Sequence, residues 1–165
     1  MSAIYAATYN GTITASGTDT DLGSFQPADD IPIRLRGFLL SQISEVGDSA
    51  EEGLRITVRR LPATFTVGSG GSSITATKPL NDFHGGTAWG MTARANDTTV
   101  ATTNGTAEVL QETGWNERNS PFDFWYPDVS FSPNARQGCG IVVRQETTLA
   151  DDMTGCFTFW IEELG

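Results

Sequence analysis

Residues 31–60 read Ile-Pro-Ile-Arg-Leu-Arg-Gly-Phe-Leu-Leu-Ser-Gln-Ile-Ser, then Glu-Val-Gly-Asp-Ser-Ala-Glu-Glu-Gly, then Leu-Arg-Ile-Thr-Val-Arg-Arg. Two stretches of period two flank an acidic, glycine-containing connection. In the first, Ile33, Leu35, Leu39 and Ile43 share one parity, and Arg34, Arg36 and Gln42 take the other. In the second, Leu54, Ile56 and Val58 alternate with Arg55, Thr57 and Arg59. Side chains on a strand point to opposite faces in turn, so each strand has an apolar face and an Arg-rich face. That pattern belongs to antiparallel sheet with one face buried and the other wet.

The same signature recurs along the chain. Phe65 and Val67 alternate with threonines, Thr106 to Trp115 reads as a strand, and Gly140 to Thr147 and Thr154 to Glu162 are two more. In the last, Phe157, Phe159 and Ile161 oppose Thr158, Trp160 and Glu162. Gly68-Ser69-Gly70-Gly71-Ser72 reads as a flexible surface loop, and no helix of convincing length is present. Many short strands with polar turns imply a sandwich or barrel. The irregular loop lengths favour a jelly-roll-like antiparallel β-sandwich, so the expected class is all-β.

The chain has 165 residues, which suits one domain and allows burial of about 70% of the unfolded surface. It needs neither disulfide nor metal to fold. Residues 31–165 are expected to form the sandwich. Residues 1–30 form either an N-terminal arm or a first hairpin turning at Asn10-Gly11. The arm carries Tyr5 and Tyr9 but few large apolar groups, so those two tyrosines are candidate contacts to a partner that orders it.

Net charge is −10, which argues against nucleic acid and against anionic membrane surfaces. No apolar run reaches transmembrane length. The opening Met-Ser-Ala-Ile-Tyr lacks a signal-peptide pattern, so synthesis in a cytoplasm and reduced Cys139 and Cys156 are expected. The two cysteines flank a hairpin-length connection and share no metal spacing. Nine of the ten cations are arginine. Arg forks onto carboxylates and stacks on aromatics. Arg34, Arg36, Arg55 and Arg59 are therefore candidate interface residues, or else partners in cross-strand Arg–Glu pairs.

No catalytic constellation is legible. His84 is the one histidine, in a Gly-rich loop, and no nucleophile elbow exists. Zinc lacks ligands. Asp19-Thr20-Asp21 and Asp48 to Glu52 offer oxygen ligands to calcium without completing a calcium loop. No enzyme activity, cofactor or metal is expected. Phe122-Asp123-Phe124-Trp125-Tyr126 has two readings: Phe122, Phe124 and Tyr126 pack inside with Trp125 outside as an interface residue, or the cluster stacks on sugars.

The segment Ser41 to Glu52, the loop Gly68 to Ser72 and Ala95-Asn96-Asp97-Thr98-Thr99-Val100-Ala101 together resemble a group of small tailed-phage and prophage virion proteins. Members of that group look like jelly-roll head-decoration (cement) proteins. The resemblance covers the middle of the chain and its C-terminal strand. It implies association with the virion; taken with the residue reading, the expectation is a non-enzymatic protein on the capsid surface, made in the host cytoplasm, bridging major capsid protein subunits as a homotrimer. The competing expectation is a receptor- or glycan-binding module of a fibre or spike.

Overall fold

The computed structural model describes residues 3–15, 18–44, 52–78, 89–119 and 121–165. The acidic connection at 45–51 and His84 lie outside the described residues. In chain order the strands are β1 (Ala3–Ile13), β2 (Thr20–Gln26), β3 (Ile33–Gln42), β4 (Gly53–Leu61), β5 (Phe65–Thr66), β6 (Ser72–Ser73) and β7 (Ala76–Thr77). They continue with β8 (Thr92–Ala95), β9 (Thr102–Thr103), β10 (Glu108–Asn116), β11 (Phe122–Trp125), β12 (Asn134–Ala135), β13 (Gly140–Gln145) and β14 (Met153–Glu163).

Among the described residues these form two six-stranded antiparallel sheets and a separate two-stranded one, β5–β9. Sheet A runs β11-β3-β14-β1-β7, with β12 also on β3; sheet B runs β10-β4-β13-β2-β8-β6. The pairs β1–β2, β3–β4, β10–β11 and β13–β14 each pass from one sheet to the other. Because β3 pairs with β14 while β4 pairs with β13, the chain wraps as double ribbons. This is a jelly-roll-like sandwich. Leu54, Ile56 and Val58 share one core with Phe157, Phe159 and Ile161, as the alternation predicts. Phe25 of sheet B meets Phe159 of sheet A edge-on at 5.2 Å. Each fully buried side chain of this kind contributes roughly 1.5–3 kcal/mol of transfer free energy.

Several expectations need correction. The parity read across residues 33–43 does not persist. Ile161 pairs with Leu35 but Trp160 pairs with Gly37, so Arg36 is the extra residue of a bulge. Beyond it the pattern inverts: Phe38 and Leu40 are buried, while Ile43 is 62% exposed.

The N-terminal segment is neither a free arm nor a local hairpin. It is one unbroken strand, paired with β14 from Ala3↔Glu163 to Ile13↔Met153. Tyr5, Ala7 and Ile13 enter the main core region of buried side chains. Asn10-Gly11 makes no turn because Gly11 sits opposite Gly155, and the rings of Tyr9 and Phe157 lie over the two glycines. Those rings stack at 6.0 Å and fill the space that glycine leaves in a strand.

The Gly68–Ser72 stretch is pinned rather than loose. Ser69 exchanges backbone hydrogen bonds with Thr99 (2.9 and 3.0 Å), and Gly71 N–H donates to Asp97 Oδ1 at 3.0 Å. Together with β5 and β9 this stretch lies over the outer side of sheet B. There Leu61, Phe65, Ala101 and Val142 form a second small core. The connection between β13 and β14 changes sheets, so it is no hairpin; Cys139 and Cys156 are free thiols.

Candidate functional site

The outer face of sheet A gathers three of the residues singled out from sequence. Trp125 pairs with Gly37, and Gly37 with Trp160. Both indoles therefore project on one side of a residue that has no side chain. A Cβ on Gly37 would lie 3.0 Å from Trp125 Cδ2 and 2.6 Å from the Phe124 carbonyl oxygen. Glycine at 37 is what lets the rings close to 4.5 Å between centroids, tilted by 31°. Trp125 remains 48% exposed.

Beside this plate, Arg34 and Arg36 both reach Glu162 Oε2, at 3.3 and 3.5 Å. Alternation already puts Arg34 and Arg36 on one face, and Glu162 pairs directly with Arg34. The Nε atoms of both arginines are buried without a hydrogen-bond acceptor. On the other side of the plate, Asp123 is exposed and pairs with Leu39, which pairs with Thr158. Trp160 and Glu162 were legible as outward by alternation, but nothing in the sequence put them beside Trp125.

The remaining sequence candidates lie elsewhere. Arg55 and Arg59 stand on the outer face of sheet B and are engaged within the chain. Arg55 Nη1 donates to Glu146 Oε2 at 2.8 Å and its Nε to Glu112 Oε1 at 2.7 Å, while Arg59 pairs with Glu146 Oε1. Thr57 Oγ1 donates to the same Glu146 Oε1 at 2.6 Å. Burial pushes the Glu146 carboxyl up, but Thr57, Arg59 and Arg55 outweigh it and hold it below the usual carboxylate range. Tyr5 is 2% exposed and packs edge-on against Trp89 at 5.1 Å, so it is a core residue and not a surface contact. Tyr9 is half-buried and its hydroxyl accepts from Asn96 Nδ2 at 3.0 Å. Asp21, read as a possible calcium ligand, is committed to Arg144. Among the described residues no group of three or more His, Cys, Asp or Glu is placed to hold a metal ion.

A second surface was not anticipated. Phe131 is 70% exposed and Val129 48%. Their loop is built by its own hydrogen bonds. Ser130 N–H and Oγ both donate to Asp128 Oδ1 at 2.7 Å, and Phe131 N–H donates to the Asp128 carbonyl at 3.2 Å. Those Ser130 donors hold the Asp128 carboxyl below its ordinary range. Strand β10 borders the same side. Tyr126 OH donates to Gln111 Oε1 at 2.5 Å, and Arg60 bridges Glu108 Oε2 (2.6 Å) and Asn134 Oδ1 (3.2 Å). Val109, 47% exposed, and Leu110, 40% exposed, lie between those two links.

No known family model matches this sequence, and no curated protein or solved structure matches it either.

Proposed function

We propose that this protein is a non-enzymatic structural protein of a tailed-phage virion. It decorates the outer surface of the capsid and stabilises it by bridging coat subunits. The observation that carries this reading is Phe131, 70% exposed on a loop fixed by its own hydrogen bonds. An aromatic anchor already held in place loses little conformational freedom on docking, and such anchors dominate protein–protein contacts. Val129 on the same loop, and Val109 and Leu110 on β10, are exposed apolar groups as well, and exposed apolar groups of this kind mark interaction sites. The resemblance of residues 41–52, 68–72 and 95–101 to virion proteins supplies the partner. Coat subunits are bridged by homotrimers, and many copies acting together give an avidity that one contact lacks.

The test is stoichiometry in purified virions by quantitative mass spectrometry. Decoration requires roughly hundreds of copies per particle, matching the symmetry of the head. A second reading, a receptor- or glycan-binding module of a fibre or spike, is favoured by the Trp125–Trp160 plate and requires only about tens of copies on the same grounds. Sedimentation equilibrium of the free protein is expected to give three times the 17.7 kDa chain mass.

A further inference from the structure

We infer that the outer face of sheet A binds an acidic saccharide, stacking a sugar ring on Trp125 and taking its carboxylate at Arg34 and Arg36. The inference does not depend on the capsid reading, which concerns the Phe131 side.

The plate comes first. Trp125 is 48% exposed and Trp160 packs against it at 4.5 Å, so one indole presents an apolar surface, backed by the other, on rigid strands. The C–H face of a pyranose stacks on such a ring, and strands hold a binding constellation more firmly than loops do.

The two ends of the plate differ in charge. At one end two guanidinium groups share a single carboxylate oxygen, at 3.3 and 3.5 Å. Charge-assisted bonds of this kind are ordinarily about 2.7–2.9 Å, so both bonds to Glu162 are long ones. Both Nε donors lack an acceptor, which is costly for buried groups. Each side chain retains about a fifth of its surface open, 20% and 22%. Asp128 supplies a second negative charge near Arg36, and Ser130 orients that carboxylate without neutralising it. The buried Nε donors are out of a ligand's reach, so an incoming carboxylate meets only the open part of the two side chains, whose guanidinium fork matches it.

The opposite end carries Asp123, exposed and beside Leu39. From Arg36 to the Asp123 row is three residues of strand, about 10 Å, the length of a disaccharide. Asp123 accepts hydroxyl hydrogens of a neutral neighbouring sugar, yet repels a second acidic group. That selects an acidic sugar joined to a neutral one over an acidic peptide.

The experiment titrates the purified full chain with hyaluronan hexasaccharide, in which acidic and neutral sugars alternate, and with hexagalacturonate, acidic at every sugar and expected to bind more weakly, following indole fluorescence and heat. Chitohexaose serves as the neutral sugar and poly-L-glutamate as the acidic non-sugar. At least one acidic oligosaccharide is expected to bind saturably, with chitohexaose at least about tenfold weaker, the factor that one lost charge-assisted bond gives. Trp125→Ala and Arg36→Gln are each expected to weaken binding by about tenfold or more, and added salt to weaken it further. Arg55→Gln, on the far sheet, leaves it unchanged. Circular dichroism of each variant separates loss of binding from loss of fold. The inference is overturned if neither acidic oligosaccharide binds, if chitohexaose binds as well, or if folded Trp125→Ala retains full affinity. Equal, Trp125-dependent binding of poly-L-glutamate also overturns it, and points to an acidic protein instead.

Discussion

Asp21 and Arg144 face each other on neighbouring strands of sheet B and form an ion pair closed off from water. Arg144 Nε lies 2.6 Å from Asp21 Oδ1, with 8% and 0% of the two side chains exposed. Ala101 seals the pair from above: its N–H donates to Asp21 Oδ2 at 2.6 Å, and its carbonyl accepts from Arg144 Nη2 at 2.9 Å. Burial pushes the Asp21 carboxyl up, and the hydrogen bond and charge of Arg144 oppose that. The pair fastens the layer containing Gly68–Ser72 and Ala95–Ala101 onto the sandwich. Asp21→Ala leaves a buried guanidinium unpaired and is expected to cost about 3–5 kcal/mol in chemical denaturation. Replacing both partners, as Asp21→Leu with Arg144→Met, is expected to cost less than the single change. A single variant within about 1 kcal/mol of wild type contradicts this account of the layer.

Glu146 gives the outer face of sheet B its acid sensitivity. Its carboxyl is held below the ordinary 4.5 in the fold, so its contribution is fully present above that value and is lost as pH falls through the folded pKa. Asp21, shifted the other way, contributes a slope of opposite sign. Glu146→Gln is expected to destabilise by about 1–2 kcal/mol at neutral pH, since bonds to a charged acceptor are removed. The gap to wild type closes as both are unfolded at progressively lower pH below 4.5. A gap that does not change with pH rejects the assignment.

Gly37 controls the aromatic plate. Indoles 4.5 Å apart couple electronically and give a paired positive and negative band in circular dichroism. Trp125→Phe or Trp160→Phe is expected to abolish that couplet. Gly37→Ala places a methyl against both Trp125 Cδ2 and the Phe124 carbonyl oxygen, so β11 must shift, and the change is expected to diminish the couplet. A couplet untouched by either tryptophan change excludes the stacked arrangement.

Strand β1 is integral to the sandwich. Deleting residues 2–16 strips β14 of its partner along the whole ladder and removes Tyr5, Ala7 and Ile13 from burial. Each large side chain lost from a core costs about 2–5 kcal/mol, so no folded protein is expected by circular dichroism. A truncated chain that melts cooperatively near the wild-type temperature refutes this placement.

Much of the sandwich is legible because period-two alternation is a local signal. Leu54, Ile56 and Val58, and Phe157, Phe159 and Ile161, needed only their own neighbours in sequence to be assigned inward. The bulge at Arg36 was not legible, since an extra residue in one strand is defined by the strand opposite. The same holds for Asn10-Gly11. As a dipeptide it signals a turn; paired with Gly155 and covered by Tyr9 and Phe157 it continues a strand. Trp125 was assigned outward by parity, but its meeting with Trp160 depends on β3 lying between β11 and β14. Gly68, Gly70 and Gly71 reflect close backbone approach to the Ala95–Ala101 segment rather than mobility, and that approach is not visible in either segment alone. Phe131 carried no sequence signal, because one phenylalanine among serines and prolines reads equally as core or surface.

The most direct test of the decoration account is co-sedimentation of purified protein with capsids that lack it, comparing wild type with Phe131→Ser. The side chain is 70% exposed, so the substitution leaves the thermal melt of the free protein unchanged. The account predicts saturable pelleting of wild type and a loss of at least about tenfold in affinity for the variant, as removal of an aromatic anchor entails. Wild type that stays in the supernatant, or a variant that pellets as well as wild type, contradicts it.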